Sequence, residues 1–462
     1  MSTPILFIGL PAILGFALFF IRNRQKLTLT ISMSLLGVLC VLAFFHNFGQ
    51  ILKIGPLSID LGTTFTIFGR DFILANSDRL FLTLTCLTSL FWLGGLKQAG
   101  LNTNFVPYQM AIMASLTAAL AVDPFIYSAI FMEIAVLLSI PMLVHSGKSL
   151  SRGVLRFLIF QSISMPLILL GGWLIAGSQA SPSDLQQLGI AAFFLATGFA
   201  LWLAVFPFHS WVPLLSEDIH PYISGFLLTV FPQVALLVIV DLTSSVTWIM
   251  ASEYFGEILL LVGTLMMVFT VVWMLFEKNS KRLFGFLVLF ETSYLLLLLG
   301  MQTPVTLQVF YLTQFPRFLA LLLACFCLSV LLDSGSTGLD LKGSFQNFPI
   351  ASIGLLIALF SITGMPPFGE FSFKFVLLDT IGSSGKIKAI WLILGFTGVL
   401  MPLFGLVLRI FSLSSSTIKV NEKISQIIII SIGIFLLLLL GLYPRGLLGL
   451  VDFMFQFLPL NT

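Results

Sequence analysis

Charge is what this sequence has least of. Asp, Glu, Lys and Arg together make up 9% of its 462 residues, while hydrophobic residues make up 58%. A soluble domain of this length could not cover its surface with so few charges, which excludes the soluble globular classes. Cysteine is also scarce. Cys40, Cys86, Cys325 and Cys327 all fall inside apolar segments. Cys325 and Cys327 are two apart, a spacing that does not share a helix face, so all four read as inert buried thiols rather than metal ligands. A net charge of +3 with no basic patch excludes nucleic acid as a partner. There is no phosphate-binding glycine loop, no Cys-rich metal motif and no polar stretch long enough for a flavin or other soluble domain. This chain therefore binds no cofactor of its own, and any redox chemistry belongs to partners. The segment Met1 to Leu10 lacks a basic leader region, and Arg22, Arg24 and Lys26 follow the first apolar run. It reads as an uncleaved first span.

What the sequence has in quantity is long apolar segments. The mean hydropathy is +1.10, and a bilayer core roughly 30 Å thick needs about 20 apolar residues per helical crossing. Fourteen such segments follow one another, near 4–21, 28–46, 79–96, 107–122, 124–145, 154–176, 187–206, 222–247, 255–276, 283–300, 304–332, 349–380, 389–412 and 424–443. The fold class is an all-α membrane protein of about fourteen transmembrane helices. The longest polar interval, Phe48 to Asp78, alternates through Ile51, Leu52, Ile54, Leu57, Ile59 and Leu61 around Gly55-Pro56, the pattern of a small surface β-hairpin.

Loop charges orient the chain. The odd-numbered loops, with Lys148 and Lys419 among their residues, hold fourteen Lys and Arg; the even-numbered loops and tail hold six. The positive-inside rule places both termini on the non-cytoplasmic side. Two spans are interrupted. The seventh runs into Phe206-Pro207-Phe208-His209-Ser210-Trp211-Val212-Pro213, and the twelfth carries Gly364-Met365-Pro366-Pro367. The breaks lie five spans apart, which predicts two five-helix units, spans 4–8 and 9–13. An odd number of helices per unit inverts the second, and paired breaks in inverted repeats line transport paths. Ordinary proline kinks are the alternative. The expected organisation is residues 1–106 (three helices and the hairpin), 107–247 (first repeat), 255–412 (second repeat) and 413–462 (last helix and tail).

Charges at membrane depth cost about 3 kcal/mol or more, so the few that occur mark candidate sites. Glu133 lies mid-span in the fifth segment, Glu291 in the tenth, Arg317 in the eleventh and Lys374 just past the second break. Glu370 and Lys374 form an i,i+4 pair with the acid first, which also fits a structural ion pair. Glu133 has no ionisable neighbour in sequence and needs a partner from another helix. His209, beside the first break, either titrates near neutrality or hydrogen-bonds freed carbonyls. Asp123, Asp241 and Asp333 at span ends, and Glu217, Asp218 and His220 in an expected loop, read as solvated.

Four stretches carry a family resemblance. They are Glu133 with Ser139-Ile140-Pro141 and Arg156-Phe157-Leu158, the Pro207 to Pro213 stretch with Pro221 and Ser224, Lys281-Arg282-Leu283-Phe284-Gly285-Phe286, and Gly364-Met365-Pro366-Pro367 with Phe371, Lys374 and Phe375. Together they resemble the antiporter-like, proton-channel membrane subunits of respiratory complex I and Mrp-type antiporters, with the last stretch most similar to the N-type subunit. The resemblance implies a fourteen-helix core with inverted repeats and broken helices seven and twelve. It implies proton translocation along an intramembrane polar axis, here drawn as Glu133, Glu291, Arg317 and Lys374 with His209 beside the break. It implies other membrane-arm subunits and the lipid bilayer as partners, with quinone, flavin and Fe–S centres confined to partner subunits. The implied setting is a bacterial plasma membrane or thylakoid, alternatively an organellar inner membrane. Two family lysine positions hold Trp202 and the Val230-Phe231-Pro232-Gln233 stretch instead. The alternatives are an Mrp-like cation/proton antiporter or stand-alone carrier, and a non-conducting structural subunit.

Overall fold

The computed structural model describes residues 2–54, 57–67, 69–102, 104–144, 149–179, 185–245, 253–333, 341–412 and 421–455. Gly55-Pro56, Lys148, Lys419 and the tail beyond 455 lie outside the described residues. Each of the fourteen expected segments is helical over most of its described length. The helices are α1 (Leu10–Ile21, entered through a π-turn at Ile5–Gly9), α2 (Gln25–Phe45), α3 (Arg79–Gly95), α4 (Phe105–Ala121), α5 (Ser128–Leu143) and α6 (Arg152–Gln179). They continue as α7 (Leu185–Trp202), α8 (Trp211–Asp218), α9 (Pro221–Ser245), α10 (Glu253–Phe276), α11 (Ser280–Gly300) and α12 (Pro304–Asp333). The last are α13 (Pro349–Ile362), α14 (Phe371–Ser384), α15 (Lys386–Ile410), α16 (Ile424–Leu442) and α17 (Pro444–Phe455). Among the described residues, nine helices are long and apolar enough to cross a membrane, and shorter apolar ones accompany them. The chain is an integral, multi-pass membrane protein.

Both interrupted spans are broken. The seventh is α7 followed by α8, and the twelfth is α13 followed by α14, with the Pro-rich stretches between the halves. Two expectations change. The interval 48–78 holds two hairpins, Ile51–Ile54 with Leu57–Asp60 and Thr64–Ile67 with Arg70–Ile73, and the second is extended by Val122–Asp123. The alternation of the segment marked strands without saying how many turns divide them. Glu217 and Asp218 belong to α8 rather than to a loop, Glu217 half-buried and Asp218 exposed. Asp123 and Asp241 are exposed at span ends as expected.

Hydrogen bonds between connections show which ends share a surface. Asp218 Oδ2 accepts from Gly153 N at the start of α6 (2.7 Å), and Glu217 Oε2 accepts from Arg282 Nε at the start of α11 (2.6 Å). Arg409 Nη1 donates to Lys278 O (2.7 Å), and Gln426 Nε2 donates to Gln98 O (3.0 Å). On the opposite surface Thr3 Oγ1 donates to Gly62 O (3.1 Å), and the second hairpin pairs with the strand after α4. Odd connections thus meet odd ones and even meet even, as alternate crossing requires.

Burial sorts centre from rim. The apolar window of α11 is entirely buried and that of α9 is 94% buried, whereas that of α16 is 17% buried. A helix apolar all round belongs in the interior, so α9 and α11 form the axis of the bundle. The short α8 is wedged beside them. A Cβ on Gly153 of α6 would stand 2.5 Å from the backbone of Leu214, and one on Gly285 of α11 would stand 2.7 Å from Pro213 Cα. Glycine at these two positions lets three backbones meet.

Gly153→Val or Gly285→Val forces those backbones apart and should cost about 1–3 kcal/mol each. Thermal unfolding in detergent checks this against Gly189→Ala, where nothing lies within 4 Å of the added methyl and no loss is expected.

Candidate functional site

The site begins with a helix that stops inside the bundle. Gly364 takes φ +74, a left-handed conformation that suits glycine, and Pro366 and Pro367 bring no backbone donors to continue α13. The last carbonyls of α13 are partly recaptured, by Gly364 N to Ser361 O (2.9 Å) and Met365 N to Phe360 O (3.0 Å). The Ile362 carbonyl is taken instead by a side chain, the ammonium of Lys374 from the first turn of α14. A helix C-terminus carries partial negative charge, so a cation there is favoured. Gly364 has a second reason to lack a side chain: a Cβ would come within 2.6 Å of Lys374 Cδ. The lysine stem lies across the glycine to reach the carbonyl.

Two carboxylates complete the surroundings of the ammonium. Lys374 Nζ lies 2.5 Å from Glu291 Oε1, brought by α11, and 2.8 Å from Glu370 Oε2, one turn earlier on its own chain. Glu370 occupies the N-cap of α14, yet its side chain does not cap that helix. Its carboxylate is committed to the lysine. The side chains of both acids are fully buried and that of Lys374 is 3% exposed. Rings close the other side, with Nζ 5.4 Å from the Phe290 centroid, 5.1 Å from Tyr294 and 5.9 Å from Phe396. Cation–π contacts of this kind stabilise a charge without taking up its proton donors.

Arg317 supplies the fourth charge. It is fully buried on α12, within electrostatic reach of Glu291 and Glu370, and its Nη1 donates to Gln314 Oε1 (3.2 Å). Two acids and two bases make the cluster formally neutral, which makes such deep burial tolerable. Arg317 Nε and Nη2, Glu291 Oε2 and Glu370 Oε1 have no hydrogen-bond partner among the described residues. The Tyr294 hydroxyl, beside the lysine, lies 3.4 Å from Thr313 Oγ1 on α12.

Three of the sequence candidates, Glu291, Lys374 and Arg317, therefore meet in one cluster. Glu133 and His209 stand elsewhere. Glu133 is half-buried on α5 and accepts from Ser162 Oγ of α6 at 2.7 Å, beside exposed Ile134 and Leu137. The His209 ring packs against Phe206 and Phe269, with centroids 5.7 and 4.6 Å away. Around the first break, the residues at the expected lysine positions are apolar or neutral. Trp202 is buried, and its carbonyl accepts from Gln161 Nε2 (3.4 Å). Gln233 of α9 is buried too. Gln161, Ser162 and Gln314 carried no signal in sequence, because neutral polar residues are common in membrane helices. Glu370 was visible through its spacing to Lys374, but its partnership with Glu291 joins residues far apart in the chain.

Lys374→Met should lower stability by about 3–5 kcal/mol, since it leaves two buried carboxylates facing a single arginine. Adding Glu291→Gln should restore part of that loss, with a coupling energy of about 0.5–3 kcal/mol in a thermal-unfolding double-mutant cycle run in choline chloride.

Comparison with known proteins agrees with this geometry. The sequence profile described as NADH:quinone oxidoreductase/Mrp antiporter, TM, matches residues 175–402, which contain both breaks and the whole charge cluster. NADH-quinone oxidoreductase subunit N of Pelobacter propionicus is 25% identical over 332 residues, covering 68% of this chain and 70% of that one. Among solved structures, a chain of the Mrp complex from Dietzia sp. superposes with a TM-score of 0.78 at 16% identity, covering 98% of this chain and 96% of that one. A chain of the membrane-bound sulfane sulfur reductase, an archaeal respiratory membrane complex, gives a TM-score of 0.80 at 15% identity with the same coverage. These two structural likenesses carry the fold. The profile and the subunit N relative, together with this fold and the two broken spans, support an antiporter-like membrane subunit of the complex I and Mrp kind.

Proposed function

We propose that this chain is a membrane-arm subunit of a complex I-like NAD(P)H- or ferredoxin:quinone oxidoreductase, and that it moves protons through the cluster at its second break. The observation that carries this reading is the Lys374 ammonium, buried between Glu291 and Glu370 on the freed carbonyl of a broken helix. A purely structural subunit would gain nothing from such a group, since apolar side chains of similar volume hold helices together at least as well.

The arrangement suits proton relay. A proton arriving on either carboxylate neutralises it and weakens its hold on the ammonium, which then favours the other acid. Each such event changes the net charge of a dry site by one unit, and a change of that size in low dielectric is felt by neighbouring charged groups. Arg317, always protonated, supplies a fixed positive charge against which the acids release their protons. Other membrane-arm subunits would flank this chain, and quinone, flavin and Fe–S centres would sit in those partners. The excess of basic residues in the odd loops supports termini on the non-cytoplasmic side of a bacterial plasma membrane, thylakoid or organellar inner membrane.

The first break favours a division of labour. With Trp202 and Pro232 in place of lysines, the first half acts as scaffold, and Glu133 acts at its edge, where exposed Ile134 and Leu137 suit contact with a neighbouring subunit.

The test is the proton-to-electron ratio of the assembled complex in liposomes. Lys374→Ala and Glu133→Ala should each lower that ratio, with Lys374→Ala the more severe, while assembly and electron transfer persist. An unchanged ratio in both variants would falsify the conducting reading and leave the chain a scaffold.

A further inference from the structure

The surroundings of the Lys374 ammonium are those of a monovalent metal ion. Oxygens from three separate pieces of backbone converge on Nζ: Glu291 Oε1 from α11, Glu370 Oε2 from the N-cap of α14, and the Ile362 carbonyl at the end of α13. Carboxylates joined by the freed carbonyl of a half-helix are what membrane carriers use to strip and hold a small cation. The remaining oxygens, Glu291 Oε2 and Glu370 Oε1, are buried and have no partner among the described residues. So is Ser361 Oγ, one residue before that carbonyl. Three aromatic rings face the same point, each within 6 Å of it. The charged and titratable side chains that meet there are Glu291 and Tyr294 from α11, Arg317 from α12, and Glu370 with Lys374 from α14.

We infer that Lys374 is a tethered cation: its ammonium fills an oxygen cage that would otherwise bind Na⁺, and by filling it excludes Na⁺ from the path. Two of the three pieces of backbone that carry the cage do not depend on the lysine. Glu291 is carried by a wholly buried helix, and the Ile362 carbonyl is set by the end of α13. Truncating the lysine leaves those oxygens in place around a space the size of a small cation. The lysine atoms beyond Cβ that crowd Gly364, Cδ and Cγ, leave with the truncation. The inference rests on reading this cluster as the ion path. It names the coupled ion as H⁺ and gives the reason Na⁺ does not compete.

The experiment is a thermal unfolding titration of the full-length chain in detergent at alkaline pH. NaCl is varied against choline chloride at constant ionic strength. Lys374→Ala should gain a saturable Na⁺ stabilisation, with the melting temperature rising by about 2 °C for each tenfold Na⁺ above half-saturation. The wild type should show none. Adding Glu291→Gln to Lys374→Ala should abolish the gain, and lowering the pH should weaken it as protons compete for the carboxylates. Lys374→Ser, which adds a hydroxyl ligand, serves as a second variant if Lys374→Ala accumulates poorly. A flat response in folded Lys374→Ala or Lys374→Ser overturns the inference, as does an equal Na⁺ response in the wild type. No turnover is involved, so this result is separate from the proton-to-electron ratio. A lost ratio without Na⁺ binding sinks only the tethered cation, and Na⁺ binding with an intact ratio sinks only the conducting role.

Discussion

A positive charge in the middle of a bilayer protein is stable only where the chain supplies negative charge and hydrogen-bond acceptors to replace water. Lys374 meets that requirement with two carboxylates, a helix-end carbonyl and three aromatic faces. Much else in the second half of the molecule follows from it. Helix α13 stops at Ile362 and so offers its carbonyl. Gly364 lacks a side chain, so the lysine stem passes. Glu370 turns from its N-cap toward the ammonium, and α11, apolar on every side, carries Glu291 because the lysine receives it. Arg317 balances the second acid.

The first half is built on a different economy of interactions. Its break has the same backbone features, a proline-rich interruption followed by a short helix, but the freed carbonyl there is met by a neutral amide. Gln161 takes the Trp202 carbonyl much as Lys374 takes that of Ile362. A neutral amide satisfies a freed carbonyl without bringing a charge that needs its own partner, so no acid is drawn into the bundle there. Glu133 accordingly stays at the edge on a single serine hydroxyl. One half thus keeps the mechanical form of the break, and the other keeps the form together with the charges.

The two halves are mechanically joined through α8. Its C-terminal acids reach in both directions, Asp218 to the start of α6 and Glu217 to Arg282 at the start of α11. Arg282 and Glu217 are partly exposed, so the ion pair itself contributes little. The close backbone approaches at Gly153 and Gly285 set the geometry, and the polar contacts fix its register. Helix α11 carries both this contact and Glu291, so the packing beside the first break and the charge cluster share one helix.

Sequence alone determined the membrane class, the fourteen apolar segments, the position of both breaks and the identity of the rare intramembrane charges. Each of these is a local property: hydropathy summed over one span, a proline without a donor, an acid with no water within reach. It also marked the Glu370–Lys374 pair, because i,i+4 spacing is itself local. Only the tertiary structure decided that Glu291 shares the lysine, that Arg317 sits behind both acids, and that Glu133 and His209 lie apart from them. Those facts depend on how α11, α12 and α14 are packed around one another, and the hydrophobic pattern of helices apolar on all sides carries no information about which faces meet. The placement of Glu217 and Asp218 was misread for the same reason. Acids near a chain reversal read as loop residues until the helices they bond, α6 and α11, are brought alongside.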